Sequence, residues 1–528
     1  MSGELRTLLS LHAKQGGTGT LASALRIGRI SREHRIESPA IFVSFRGPTV
    51  LARREKCLCH LTRAMKVGIL LAIVLVAGCG SGIGQTTTDR SIRSLQTRLN
   101  LYPQDFRAYD SLGTAYIQKG RETADASYYE LAKQALDKSL NLVSSDPAAA
   151  SAKTHMAVVA MAEHQFEDAL SWAQAALALG SGDPSPWAIV GDALTDLGEY
   201  ERADDAYARL RDPLHPEEES NGLAYERNCR IAYLHFLRGD APGAMKLMRA
   251  AIALALTLHL PAENIAWSQY QLGEICFKSG ALAEAEQAYS AGLDVDPNSY
   301  RNLAGLGEVR TAQGKYSEAI TLYQKALAVV PFPAFAAALY DLDLQVGRTD
   351  DAHKQLELLE FISRLNPINE RLFYRELALF YADHEFKLKE SVELAKKELE
   401  VRHDIYTWDI LAWVLFKNGR APEAASAIDK ALLLGTGDAL LNFHAGMIEF
   451  QLGRTERAQI LFKRALTLNP QFHLLYAEVA RERLAQLADS NTRAVGVRLA
   501  ERSGAQVSAP ASSRPANPDA HANASSAR

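Results

Sequence analysis

The chain of 528 residues lacks the short motifs that mark common catalytic sites. It has no His-Glu-x-x-His pair for a catalytic metal, no Gly-x-Ser-x-Gly turn for a nucleophilic serine and no Gly-rich phosphate loop. Cysteine is scarce, with five residues, and Cys57-Leu58-Cys59-His60 is followed by no second ligand pair at zinc-site spacing. These absences predict a protein that is not an enzyme and that uses neither a metal nor a cofactor.

A dense cluster of Lys and Arg on one helix face is also missing. Residues 1–78 carry 12 Lys and Arg against 4 Asp and Glu, which leaves 46 basic and 58 acidic residues for the rest of the chain. Everything after residue 78 is therefore acidic, with a net charge of −12. Because phosphate backbones are bound by clustered basic side chains, this distribution disfavours nucleic acid as a partner.

A long apolar run is missing as well, since Val67–Ala77 is shorter than the about 20 residues that a membrane-spanning helix needs. This run follows Lys66 and ends in small residues before Cys79, which is typical of a secretory signal peptide. The ending Val76-Ala77-Gly78-Cys79 resembles the lipobox of bacterial lipoproteins. The resemblance implies a signal peptide over residues 65–78 and a lipid on Cys79, which would become the new amino terminus.

Residues 1–64 precede a signal peptide that has its own methionine, and they show no periodicity. We interpret them as a non-native extension of the gene model, with a cytoplasmic amino-terminal extension as the alternative. Residues 79–104 are assigned to the lipidated Cys79 and a flexible tether. Gly80 rather than Asp follows Cys79, which by a sorting rule known for some bacterial lipoproteins favours the outer over the inner membrane. The predicted location is the cell envelope, lipid-anchored and facing the periplasm.

A spaced pattern of large, small and turn-forming residues recurs through the rest of the chain. One copy holds Leu272-Gly273, Gly280, Tyr289 and Pro297, and the next holds Leu306-Gly307, Gly314, Tyr323 and Pro331. A fixed period of about 34 residues indicates stacked helical hairpins. We predict an all-α solenoid of about ten helix-turn-helix repeats over residues 105–487 with a carboxy-terminal cap, followed by a disordered Ala/Ser/Pro tail over residues 488–528.

This pattern resembles the tetratricopeptide repeat family. In that family the first helix of each hairpin lines a concave surface that binds proteins or peptides, so the resemblance implies a protein or peptide partner. At the corresponding positions the fourth, fifth, ninth and tenth repeats carry two aromatic patches. The candidate groove contacts are Tyr233, Phe236, Trp267, Tyr270, Phe277, Tyr406, Trp413, Phe416, Phe443, Met447 and Phe450. Packing against the neighbouring repeat is the alternative for each of them.

Polar residues occupy the same positions in the third and sixth repeats, among them Asp192, Asp196, Arg301 and Glu308. Arg375 stands without the Lys and Asn companions of a carboxylate clamp. The predicted function is a lipid-anchored scaffold that binds proteins or peptides at the bacterial cell envelope. The alternatives are an accessory assembly lipoprotein of a pilus, secretion or outer-membrane machine, a non-catalytic subunit that positions a periplasmic enzyme, and a cytosolic co-chaperone.

Overall fold

The computed structural model describes residues 86–143, 146–211, 220–364 and 372–502, with the side chains of 363–364 and 490–502 left out. Within these residues the chain forms 22 α-helices, one 3-10 helix over Pro147–Ala149 and no strand. The helices are α1 (Thr87–Leu101), α2 (Phe106–Thr123), α3 (Ser127–Leu142), α4 (Ala150–Ala162), α5 (Phe166–Leu177), α6 (Pro186–Asp196), α7 (Tyr200–Ala208), α8 (Asn221–Leu237), α9 (Ala241–Thr257), α10 (Ala262–Lys278), α11 (Leu282–Val295), α12 (Tyr300–Ala312), α13 (Tyr316–Val329), α14 (Pro333–Gln345), α15 (Thr349–Arg364), α16 (Tyr374–Asp383), α17 (Leu388–Leu399), α18 (Ile405–Lys417), α19 (Ala421–Ala431), α20 (Ala439–Gln451), α21 (Thr455–Leu468) and α22 (Tyr476–Arg502).

Helices α2 to α21 pair in chain order into ten hairpins, each of which packs on the next. The predicted all-α solenoid of about ten repeats is therefore confirmed. Among the described helices, none is both long enough and apolar enough to cross a bilayer. Residues 1–64, the signal peptide over 65–78, Cys79 and residues 503–528 of the tail lie outside the described residues.

Small residues let the two helices of a hairpin approach closely. A Cβ atom added to Gly191 on α6 would lie 2.1 Å from the ring of Tyr207 on α7, so only glycine fits at this crossing. Ala203, also on α7, is fully buried. Gly198 then ends the first helix of this hairpin with φ +76°, the left-handed conformation that glycine adopts without strain.

Helix α1 precedes the first hairpin and differs from the flexible tether expected over residues 79–104. Thr86 and Asp89 form a capping box, in which each side chain accepts a hydrogen bond from the backbone N–H of the other residue. Leu99 is buried against the first hairpin, in a cluster with Leu112 and Ile117. The apolar contact explains why this segment is helical. At the other end, α22 runs to Arg502, beyond the cap boundary expected at residue 487.

The superhelix closes on itself along a line of contacts that we call the seam. The seam joins the inner turns of the third, fourth and fifth hairpins to the linkers after the eighth, ninth and tenth hairpins. Across it, the His403 N–H donates to the Asp196 carbonyl at 2.8 Å, and the Ile405 N–H donates to the Tyr200 hydroxyl at 3.0 Å. Asn469 Nδ2, which is fully buried, donates to the Phe277 carbonyl at 2.8 Å.

Glycine at each inner turn makes the seam possible. A Cβ atom would lie 2.6 Å from the His403 carbonyl oxygen at Gly198, 2.7 Å from the Gly435 oxygen at Gly239 and 2.2 Å from the Leu468 oxygen at Gly280. The equivalent glycines of the other hairpins have no such neighbour: Gly314, Gly347, Gly419 and Gly453 have nothing within 4 Å of the same position. The loops at Gly198, Gly239 and Gly280 therefore allow the backbone of one coil of the superhelix to contact the backbone of the next.

Candidate functional site

Side chains mainly from the first helices of the hairpins line a cavity of 820 Å³ on the axis of the superhelix. Its wall draws residues from the first six hairpins, from the eighth hairpin and from the linkers between hairpins. The seam closes one side, and Arg121 on α2 pairs with Glu263 on α10 at 3.1 Å to join the first hairpin to the fifth. A concave pocket with converging polar and aromatic groups is the expected position of a binding site, so this axial cavity is the candidate functional site.

An aromatic surface forms one part of the wall. Trp267 on α10 lines the cavity together with Tyr300 and Arg301 at the start of α12. The Arg301 guanidinium carbon lies 5.1 Å from the centre of the Tyr300 ring and 5.8 Å from that of Tyr270, in cation–π geometry. This part of the wall can pack against the aliphatic or aromatic part of a ligand.

A network of ion pairs forms another part of the wall, next to the seam. Arg375 pairs with Asp404 and, at 3.2 Å, with Glu398. Arg402 pairs with the same Glu398 at 3.3 Å and with Asp196 across the seam at 3.2 Å. Burial raises the pKa of Asp196 to about 6 against the opposing effect of Arg402. Burial also favours a higher pKa at Asp404, but Arg375 and Arg402 hold that pKa below its ordinary value.

Four of the eleven candidate groove contacts are core residues, and for them the sequence prediction needs correction. Phe236, Phe277, Trp413 and Phe443 are between 0% and 4% exposed. Because each first helix packs against the helices on both sides, the large side chains at these positions are buried in those contacts. The packing alternative is therefore the right one for these four.

The other seven candidates are half-buried, and their role as partner contacts stays a prediction. They are Tyr233, Trp267, Tyr270, Tyr406, Phe416, Met447 and Phe450. Within this set, Tyr233 and Trp267 line the axial cavity. Tyr406 instead donates to Asp438 at 3.3 Å and lies under the Lys278 ammonium group at the seam.

The segment that leads into α22 covers part of the second aromatic patch, in the ninth and tenth hairpins. Phe472 lies 5.5 Å from Phe443, and the Tyr476 ring stacks on Phe443 at 5.0 Å. The Tyr476 hydroxyl and Trp413 Nε1 both donate to Asp383, at 2.6 and 2.7 Å. The chain itself thus covers Trp413 and Phe443, two of the residues that the sequence analysis assigns to a partner. Phe472 and Tyr476, the aromatic residues after Pro470, were the sequence signal from which this covering segment could have been predicted.

Several charged residues of the cavity were missed by sequence reasoning. Arg230 on α8 binds Asp192 with a 2.9 Å contact from Nε, and Arg375, interpreted as isolated, has two carboxylate partners. The partners lie on other helices or in linkers, so no local pattern marks these arginines. The buried thiols of Cys229 and Cys276 are free, and burial raises the pKa of each to about 11, which keeps both unreactive.

Glu308 on α12 provides a test of how burial changes the pKa of an acidic side chain in this array. Among the described residues no cation lies within ion-pair distance of it, and burial together with Glu274 raises its pKa from 4.5 to about 8. Because the folded state binds this proton more tightly, the stability that protonation supplies is lost as pH rises from 4.5 through 8. Glu308→Gln should therefore raise the melting temperature, with an advantage that grows between about pH 5 and pH 8.

The matched control for this measurement is Glu357→Gln on α15, which removes an exposed carboxylate. Its melting temperature should follow the wild-type pH profile. A Glu308→Gln advantage that stays constant with pH would contradict the raised pKa.

Comparison with known proteins bears on the repeats. Residues 268–299, 303–333 and 411–472 each match a family model described as tetratricopeptide repeat. These three segments of the chain are similar to tetratricopeptide repeats. The matches fall on the fifth, sixth, ninth and tenth hairpins, so the resemblance seen in the sequence pattern is confirmed for these hairpins.

Two tetratricopeptide repeat-containing proteins are similar over part of the chain. One from Treponema pallidum is 25% identical over 288 residues, which are 48% of this chain and 34% of that protein. YpiA of Bacillus subtilis is 28% identical over 176 residues, which are 32% of this chain and 39% of that protein. The chain thus spans less than half the length of either relative. The solved structure of yeast Tom70 shares 16% identity with this chain, covers 76% of this chain and 93% of its own, and has a TM-score of 0.36.

Proposed function

We propose that this tetratricopeptide repeat protein is a scaffold that binds an unfolded segment of a partner protein in its axial cavity. The observation that carries the proposal is the 820 Å³ cavity, lined by Trp267 and by charged side chains. Arrays of this kind are generally binding scaffolds rather than catalysts. A cavity of this size falls in the range of about 300–1,000 Å³ that accommodates small ligands or a few residues of chain, and a folded domain does not fit.

The experiment for the binding site is site-specific photocrosslinking in cells. The photoreactive amino acid p-benzoylphenylalanine replaces Trp267 in one variant and Trp172 on α5 in another. Both tryptophans are half-buried, but Trp172 lies outside the cavity lining. We expect crosslinked partners from position 267 and none from position 172. Equal crosslinking at the two positions, or none at either, would contradict binding in the cavity.

The second part of the proposal is a lipid anchor on Cys79 that holds the array at the cell envelope, facing the periplasm. Its support is the sequence motif at residues 65–79 alone. Two or more acyl chains anchor a protein stably without a membrane-spanning helix. The measurement is the intact mass of the native protein. We expect a chain that begins at acylated Cys79, with Cys79→Ser as the control that keeps its unmodified precursor mass. A native chain that begins at Met1 without lipid would contradict the proposed lipid anchor on Cys79.

A further inference from the structure

The Glu376 carboxylate in the axial cavity has no cation within ion-pair distance among the described residues. Glu376 lies on α16, and its Oε2 atom is buried without a hydrogen-bond partner among the described residues. Other acidic residues of the wall are paired: Asp192 with Arg230 at 2.9 Å, Glu263 with Arg121 at 3.1 Å and Glu398 with Arg375 at 3.2 Å. An unpaired carboxylate in a partly desolvated site is costly, and a cation supplied from outside removes that cost.

The arginines nearest to Glu376 are already engaged. Arg375 forms ion pairs with Glu398 and Asp404, and Arg402 forms ion pairs with Glu398 and Asp196. Burial raises the pKa of Glu376, although Arg375 and Arg402 oppose the shift. The chain therefore offers Glu376 no free cation from this part of the wall.

The net charge of the residues that line the cavity also favours a positively charged ligand. The residues around the cavity include eight Asp and Glu but five Arg and no Lys. The excess of negative charge persists with Arg301 counted among the five arginines. A ligand that brings positive charge is complementary to this wall.

The same cavity holds aromatic surface for the rest of a basic side chain. Trp267 and Tyr233 line it together with the amide group of Gln271. Lysine and arginine pack their aliphatic stems on aromatic rings and keep their charged ends free to pair with a carboxylate.

We infer that the axial cavity binds an extended, basic polypeptide segment, with a lysine or arginine side chain of the ligand paired to Glu376. This inference rests on the proposed function and narrows its partner class. The 820 Å³ cavity accommodates a few residues of an extended chain and no folded domain.

The experiment measures fluorescence anisotropy of three labelled peptides with the detergent-solubilised full-length protein. The peptides share one unstructured sequence of Gly, Ser, Leu and Tyr and differ only in carrying Lys, Gln or Glu at the same spaced positions. We expect the Lys peptide to bind about tenfold more tightly than the Gln peptide, which corresponds to one added ion pair. Glu376→Gln should remove this preference and leave the helical content unchanged.

Glu357→Gln is the matched control, because it removes the same charge from an exposed position outside the cavity. It should keep the preference for the Lys peptide. An equal loss of preference in both variants would mean attraction to the acidic surface and would overturn the inference. Tight binding of the Gln or Glu peptide would overturn the inference while the proposed function stands. Binding of none of the three would also overturn it, and the crosslinking at position 267 then decides separately on the proposed function.

Discussion

Gly280→Ala should open the seam and destabilise the array by about 2–4 kcal/mol, as overpacking against a rigid neighbour does. The new Cβ atom would lie 2.2 Å from the Leu468 carbonyl oxygen, and backbone cannot move aside as the end of a side chain can. The nearby hydrogen bond from Asn469 Nδ2 to the Phe277 carbonyl would be lost with it. We expect a larger radius of gyration in small-angle scattering and faster hydrogen exchange in α10 and α21.

Gly314→Ala separates the seam from backbone strain. Gly314 has φ +71°, close to the +82° of Gly280, so alanine pays the left-handed penalty of about 1–2 kcal/mol at either site. Nothing lies within 4 Å of the Cβ position at Gly314. Gly314→Ala should lower the free energy of unfolding by this penalty alone, and it should keep the wild-type radius of gyration. If Gly280→Ala and Gly314→Ala lose the same stability and keep the same radius of gyration, the superhelix does not close in solution.

Trp413→Ala should cost about 3–5 kcal/mol, the range for removing a large aromatic side chain from a core. Trp413 is 1% exposed, its ring stacks on His444 at 4.1 Å, and its Nε1 donates to Asp383 at 2.7 Å. Because repeat arrays unfold in segments, hydrogen exchange is a better measurement than one overall transition. We expect exchange to rise in α16, α18 and α20, with α2 and α3 unchanged.

Trp267→Ala is the comparison for this variant. Trp267 is half-buried on the cavity wall, so truncation should weaken binding of the Lys peptide and change exchange little. Trp413→Phe keeps a ring but removes the donor to Asp383, and we expect a loss of about 1–3 kcal/mol. A small effect of Trp413→Ala on exchange would place this tryptophan on an exposed surface and contradict its assignment to the core.

The local parts of the architecture were predictable from the sequence. Paired glycines and tyrosines such as Gly307 and Tyr323 predict the hairpins because they act between helices that are close in the chain. The capping box at Thr86 and Asp89 was an equally local signal for α1, and the assignment of that segment to a tether overlooked it. Local chemistry therefore accounts for the elements and their order.

The site was predictable only in part. The position of Trp267 in the motif places it on the inner surface, and it lines the cavity. Arg375 and Glu376 stand next to each other in the chain, yet one has two carboxylate partners and the other has no cation beside it. No composition or spacing distinguishes them, because their partners come from other helices.

The sequence by itself determined the fold class and the number of hairpins, since both depend on contacts within one period of the repeat. Only the tertiary structure decided which of the aromatic residues on the first helices are buried in the core, that the superhelix closes on itself, that its own segment at Phe472 and Tyr476 covers part of the second aromatic patch, and that Glu376 is left unpaired. The physical reason is the range of the contacts. The hydrogen bond from Ile405 to Tyr200 joins residues 205 apart in the chain, and such a contact depends on the accumulated rotation of every hairpin between them.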